Sequence, residues 1–358
     1  MTQREQQILQ LIEADPMISQ QAIAEKLGIT RSSVAVHISN LIKKGTIAGK
    51  GYVLRNEEYA VVVGGVNVDI GGRSFAPLVA ADSNPGQVTM SLGGVGRNIA
   101  HNMSLLGLEV RLPTAYGNDL NGQRVAASCA ELGIDMSHAL QVPGAATSTY
   151  LYLTDPDGEM ALAVSDMAIC NEITPAYLAS KLSVLQNARV VVVDTNIPAE
   201  SLQYLAENCT APLFVDPVST VKAVKLKPIL NRIHTLKPNR LEAELLSGVQ
   251  IKSKEDMVKA ADVLLNMGMQ RLFISLGGDG VLAATREEKL WLSNLPGNMV
   301  NTTGCGDAFT AALVWAFLQD CDLKTSATAG LAAGSIAMES AETINPAMSA
   351  AAIQSRMK

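Results

Sequence analysis

No apolar run in the 358 residues is long enough to cross a bilayer, which excludes a chain built on membrane-spanning helices. The opening residues Met1-Thr2-Gln3-Arg4-Glu5 are too polar for a secretory signal, so a cytoplasmic protein is expected. Cysteine is sparse: five, at 129, 170, 209, 305 and 321, an odd number without Cys-x-x-Cys spacing. That argues against both a disulfide framework and a structural zinc site, and leaves most of the thiols as small buried apolar groups. Disorder is excluded as well, because 48% of the residues are hydrophobic and can build a large core with a small domain beside it. The net charge of -6 is unevenly spread. Residues 1–55 carry seven Lys/Arg against four Asp/Glu, while the remainder carries 21 against 30, so a basic end precedes an acidic body.

The basic end has its own pattern. Ile8, Leu9, Leu11 and Ile12 lie on one helical face before Asp15-Pro16 stops the helix. A second helix runs from Gln20 to Leu27 and ends at Gly28; a third starts at Thr30 and is expected to turn Val34, Ile38, Leu41 and Ile42 inward. Two short helices joined by a glycine-containing turn are a helix-turn-helix. On the third helix Arg31, Ser32, Ser33, Ala35 and His37 fall where phosphates and base edges are met in a major groove, and Lys43, Lys44 and Lys50 extend the basic edge. Residues 45–54 read as a small hairpin, so the module resembles the winged helix-turn-helix domains of bacterial regulators. The resemblance implies DNA binding; a docking or dimerisation module is the other reading. The charge excess is small, so a dimer on two half-sites is the expected binding unit.

From Tyr59 onward the pattern changes. Ala60–Asp69 reads as one continuous apolar strand, and similar strands recur at Arg189–Asp194, Leu213–Asp216, Ile233–Lys237 and Arg271–Leu276. Helix-length segments at 120–132, 199–208 and 255–267 separate them, which predicts an α/β fold on a mainly parallel sheet. Ligands of such sheets bind beyond the carboxyl ends of the strands, where Asn67, Asp69, Asp194, Asn196, Asp216 and Asn239 fall. Segments of about 70–92 and 145–165 break the alternation with short strand patterns, the second turning at Asp155-Pro156-Asp157-Gly158. A small β lid over the strand ends is expected.

Asn301-Thr302-Thr303-Gly304-Cys305-Gly306-Asp307 runs straight into the apolar helix pattern Ala308–Leu318. Free amides at such a start, with the helix dipole behind them, attract a phosphoryl group, and Gly304 and Gly306 let the backbone approach it. Asp307 could take the proton of an attacking hydroxyl; it reads equally as an acidic residue favoured at a helix N-terminus.

A second glycine motif, Gly93-Gly94-Val95-Gly96-Arg97-Asn98, lies some two hundred residues upstream. The two motifs in this order resemble the ribokinase-like (PfkB) family of carbohydrate and nucleoside kinases across residues 59–345. The resemblance implies a ribokinase-like body (residues 56–358) after the helix-turn-helix, with ATP and magnesium as cofactors. It places Asn67, Asp69, Gly94 and Asn98 at the sugar and Asp307 as base, with the Gly304, Cys305 and Gly306 amides around the phosphoryl group. It assigns Glu242 of Asn239-x-x-Glu242 to magnesium through water, and Asn239, Ser275, Gly277, Gly278, Gly280, Ala333 and Ser335 to ATP. Blocks at 81–86, 93–100, 215–219 and 233–244 look like the bacterial pseudouridine kinases within that family, which implies phosphorylation of a ribose 5′-OH. A base with an extra ring N–H needs an acceptor, for which Asp82, Ser83, Asn84, Thr149 and Asp166 are candidates. Another nucleoside or a pentose as substrate, or a nucleoside-sensing regulator, are the alternatives; a homodimer is the expected assembly. Many family members begin the catalytic motif with Asp where this chain has Asn301, and a neutral amide weakens any monovalent-cation site there.

Overall fold

A computed structural model describes residues 1–47 and 58–358. At the N-terminus, helices Gln3–Ala14, Gln20–Leu27 and Arg31–Lys43 enclose a small core of Ile8, Ile12, Ile23, Val34, Ile38 and Leu41. Thr2, Ser19 and Thr30 cap the three helices, and Gly28 adopts φ +64° to end the second. Ile42, expected inward, is exposed, because the 34-38-41 stripe has already rotated past it. The hairpin expected over 45–54, with Lys50, falls almost wholly outside the described residues.

The strands of the body are, in order, β1 (Ala60–Val63), β2 (Asn67–Ser74), β3 (Gly86–Gly93), β4 (Val110–Arg111), β5 (Ala115–Gly117), β6 (Leu140–Val142) and β7 (Thr149–Thr154). They continue as β8 (Met160–Asp166), β9 (Val190–Asp194), β10 (Leu213–Asp216), β11 (Thr235–Leu236), β12 (Arg271–Ser275), β13 (Val281–Ala284) and β14 (Lys289–Leu292). The main sheet runs β14-β13-β12-β11-β10-β9-β1-β4. It is parallel from β4 to β12, with β13 and β14 added antiparallel at one edge. Its two faces bury separate apolar clusters, one under helices Ala199–Asn208 and Lys254–Asn266, the other under Val95–Leu105, Cys305–Leu318 and Leu323–Ala337. Strands with burial on both faces explain the unbroken Val-rich runs of β1 and β9.

The single strand expected over 60–69 is in fact two strands in two sheets. The chain leaves the main sheet at Gly64-Gly65, where the Gly65 amide donates to Asp194 Oδ2 at 2.9 Å, and enters the lid as β2. The lid is a four-stranded sheet ordered β3-β2-β7-β8. Register gives it two unlike faces. Val68, Ile70, Met90, Val88, Leu151, Leu153, Val164 and Leu162 share one; Asn67, Asp69, Ser91, Thr89, Tyr150, Tyr152 and Ser165 share the other. Much of the aliphatic face is open to solvent, with Leu162 59% and Val164 58% exposed.

Candidate active site

Helix Cys305–Leu318 begins at Gly304, whose φ of +82° and whose approach to Thr343 exclude a side chain: a Cβ there would lie 2.2 Å from the Thr343 carbonyl oxygen. The Gly306 and Asp307 amides meet no acceptor among the described residues and stay available to an anion. The Cys305 amide does not; it is drawn to the Thr302 carbonyl at 3.3 Å, which departs from the expected three-amide cradle.

Asp307 stands in the first turn and accepts a hydrogen bond from Asn98 Nδ2 at 2.9 Å. Burial pushes its carboxyl up to about 7, and the nearby Asp216 carboxylate adds to the rise against the opposing pull of Asn98 and Lys237. Asn98 projects from helix Val95–Leu105, which starts at Gly94, where φ is +96° and a Cβ would meet the Gly65 carbonyl oxygen at 2.5 Å. Gly94 therefore acts by letting two backbones meet. With its amide nitrogen on Asp307, Asn98 keeps a buried Oδ1 without a partner, an acceptor ready for a hydroxyl. Across the site Asn67 Nδ2 donates to Asp69 Oδ1 at 2.6 Å, and burial raises the Asp69 pKa. Asp194 binds the two glycine turns together through the amides of Gly65 and Gly96 at 2.9 and 2.8 Å.

Sequence reasoning missed a lysine. Lys237, buried at the end of β11, places Nζ 3.0 Å from Asp216 Oδ2 and 3.0 Å from where a Gly306 Cβ would stand. Thr310 Oγ1 donates to the same Asp216 oxygen at 3.2 Å. Burial pulls the Lys237 pKa down, but Asp216, Asp307 and Glu242 more than offset it, so the ammonium persists beside the helix start. Its only mark in the sequence is a lysine just before Pro238-Asn239 at a strand end.

Lys237 and Gly306 open onto a cavity of about 350 Å³ lined also by Ser275, Gly277, Gly278, Gly280, Thr302, Leu331, Gly334 and Ser335. Most residues expected at a nucleotide meet there. Ala333 does not, being fully buried in its helix, with Leu331 and Gly334 at the wall in its place. The Ser335 hydroxyl is tied to the Pro296 carbonyl at 2.7 Å. Asn239 lines a larger cleft of about 890 Å³ that shares Ser275 and Gly277 with the first; its side chain caps a helix, accepting from the Glu242 amide at 2.9 Å. The smaller cavity is the relevant one, because only it reaches the helix start. Glu242 Oε2 returns the cap from the Asn239 amide at 2.8 Å, and burial raises its pKa. No cluster of three metal-ligating side chains exists among the described residues. Glu242, with only one carboxylate oxygen in the cap, is the donor suited to a hard cation that would arrive with phosphate oxygens as its main ligands, whereas the Asp216 oxygens are held by Lys237, Thr310 and the Val218 amide.

The acceptors expected for the base are placed differently. Asn84 closes its own loop, bonding the Val79 amide and carbonyl and the Asp82 carbonyl. The Asp82 carboxylate takes the Ser83 amide, Thr149 donates to the Thr147 carbonyl, and Asp166 accepts from the Ala168 amide. Thr149 and Asp166 pair with each other on the aliphatic side of the lid, away from Asp69. Asn301 Nδ2 donates to the Ala341 carbonyl at 3.2 Å and its Oδ1 accepts from the Thr303 amide at 3.0 Å, so the amide bridges two loops by itself.

In the N-terminal unit Arg31, Ser32 and Lys43 are exposed, Ser33 is partly covered, and His37 is half-buried with an unpartnered Nδ1. Lys44 is committed elsewhere: its ammonium holds both oxygens of the buried Glu5 at 2.8 and 2.9 Å, and its carbonyl accepts from Asn187 of the body at 2.6 Å. The basic edge expected there is reduced by that pair.

A sequence model of the pfkB family carbohydrate kinases matches residues 57–350, and one of winged helix-turn-helix DNA-binding domains matches residues 1–48. The chain is 42% identical to the pseudouridine kinase of Escherichia coli strain K12 over 300 residues, covering 83% of this chain and 96% of that protein. It is 39% identical over 354 residues to an uncharacterized sugar kinase, YeiI, of the same strain, covering 98% and 97%. A carbohydrate kinase from Agrobacterium tumefaciens superposes with a TM-score of 0.75 at 27% identity, over 84% of this chain and 97% of that one. The ribokinase of Arabidopsis thaliana, complexed with ribose and ATP, has a TM-score of 0.74 at 20% identity over 84% and 99%, a likeness of fold alone. No helix among the described residues is long and apolar enough to cross a membrane.

Proposed function

The chain belongs to the pfkB family of carbohydrate kinases, and we propose that within it this protein transfers the terminal phosphoryl group of ATP to the ribose 5′-OH of pseudouridine in the cytoplasm. The observation that carries the mechanism is the Asn98–Asp307 hydrogen bond at a helix start with open amides. It joins a sugar-side residue to a carboxylate held near neutrality, beside the cavity suited to the nucleotide. The 42% identity to a pseudouridine kinase supports the choice of substrate.

Asp69 and the free Oδ1 of Asn98 hold ribose hydroxyls and aim the 5′-oxygen. That oxygen forms a bond to the γ-phosphorus as its proton passes to an Asp307 carboxylate oxygen, and the bond from γ-phosphorus to the bridging oxygen breaks to release ADP. The Gly306 and Asp307 amides and the Lys237 ammonium stabilise the charge on the moving phosphoryl oxygens, while Asp216 holds Lys237 in place. Glu242 would hold magnesium through water, and the ion would supply further charge neutralisation. The test is ADP release with pseudouridine, uridine, inosine, adenosine and ribose; a higher kcat/KM for any of the other four overturns the assignment of substrate.

A second role rests on the winged helix-turn-helix match and on exposed Arg31, Ser32 and Lys43 along the third helix. The protein binds DNA through residues 1–55 as a homodimer, and the aliphatic lid face supplies the contact between copies. Binding to the promoter of its own gene, with and without pseudouridine, tests this; no binding at low salt leaves the unit a docking module.

A further inference from the structure

Aromatic residues are only 4% of the chain, yet two tyrosines lie two positions apart on β7, on the lid face that carries the ribose carboxylate. Tyr150 stands in register with Asp69, and Tyr152 with Gly71. Their ring centroids are 5.8 Å apart with planes inclined by 34°, so the two rings are immediate neighbours on that face. Gly71 makes room for it: a Cβ there would stand 2.6 Å from the Tyr152 ring carbon and hydroxyl. Ser91, opposite Asp69, and Ser165, opposite Tyr150, add hydroxyls to the same face.

A nucleoside whose ribose hydroxyls meet Asp69 directs its C1′ substituent along the lid, because C1′ adjoins the 2′-hydroxyl carbon. The face there offers rings for stacking and hydroxyls that both donate and accept at a base edge. The acceptors expected from the sequence, Thr149 and Asp166, sit on the other side of the sheet. Resting on the kinase reading above, we propose that Tyr150 and Tyr152 form the platform that stacks the nucleobase, making the lid selective for a nucleoside over a free pentose.

The test is calorimetric titration of the full-length protein with pseudouridine, uridine and D-ribose, comparing wild type with Tyr150→Leu, Tyr152→Leu and the matching Phe variants. The Leu variants are expected to weaken pseudouridine binding by about 10- to 100-fold, collapsing its advantage over ribose, while Phe keeps the ring and stays within about 3-fold. The platform is overturned if the Leu variants bind nucleoside as wild type does. It is equally overturned if nucleoside and ribose weaken by the same factor, as a misfolded lid would cause, or if wild type holds ribose as tightly as pseudouridine. Tight nucleoside binding that depends on the rings but leads to no phosphoryl transfer supports the platform and counts against the proposed reaction.

Discussion

Asp307, the proposed base, has surroundings drawn from distant parts of the chain. Its proton affinity near neutrality comes from burial and from Asp216, ninety-one positions earlier, and its orientation comes from Asn98. Asp307→Asn is expected to lower kcat by about 10² or more with nucleoside binding kept, measured by turnover and calorimetry. In the proposed mechanism the base acts in its ionised form, so kcat/KM for wild type should climb as pH rises through about 7 and level off above it. Stability runs the other way. The folded pKa lies above the ordinary aspartate value, so the group favours the fold only while protonated and loses that contribution as pH rises toward about 7. Melting curves should therefore show Asp307→Asn more stable than wild type at pH 8, with the difference vanishing below the ordinary aspartate range. Cys305→Ala should change kcat by less than about 3-fold, since burial raises the thiol pKa and its amide already faces Thr302. Asp307 was legible as a candidate, although Gly-x-Gly-Asp alone left it level with an ordinary acidic residue at a helix start. Lys237 was not, because nothing local distinguishes a surface lysine from one folded against Asp216.

Among elements, the helix Cys305–Leu318 depends on the left-handed Gly304 that starts it. Gly304→Ala forces both an unfavourable φ and a clash with Thr343, which is expected to cost about 1–3 kcal/mol in a denaturant titration. By displacing the open amides it should also lower kcat by about 10². At the other end of the chain Glu5 closes a capping box with Thr2 and meets Lys44 across the small domain. Lys44 holds the Glu5 carboxyl below the usual range, so the pair stabilises above the ordinary glutamate pKa and fades as pH falls through the lowered one. Lys44→Ala should speed hydrogen exchange in helix Gln3–Ala14 about 5- to 10-fold at pH 7, with much less effect at acid pH. Element type was readable wherever a period ran for two turns or a strand was buried on both faces. The break between β1 and β2 was not, since Gly64-Gly65 leaves the main sheet only because Asp194 of β9 captures the turn.

For the whole molecule, the proposed assembly rests on the lid. Leu162→Asp combined with Val164→Asp, on the aliphatic face and away from Asp69, should shift the mass measured by light scattering from dimer to monomer. If the mass is unchanged, the copies meet elsewhere. The sequence by itself determined the division into a basic helical unit and an α/β body, the two glycine motifs, and the residues on which phosphoryl chemistry could rest. Those depend on local periodicity and on glycine's backbone freedom, which need no partner. Tertiary structure alone decided which face of the lid carries Asp69, which carboxylate has its pKa raised to about 7, and where Lys237 points. Strand pairing sets a side chain's direction residue by residue, and burial beside another charge sets its proton affinity. Both are properties of neighbours brought together by the fold, and the order of residues along the chain does not state them.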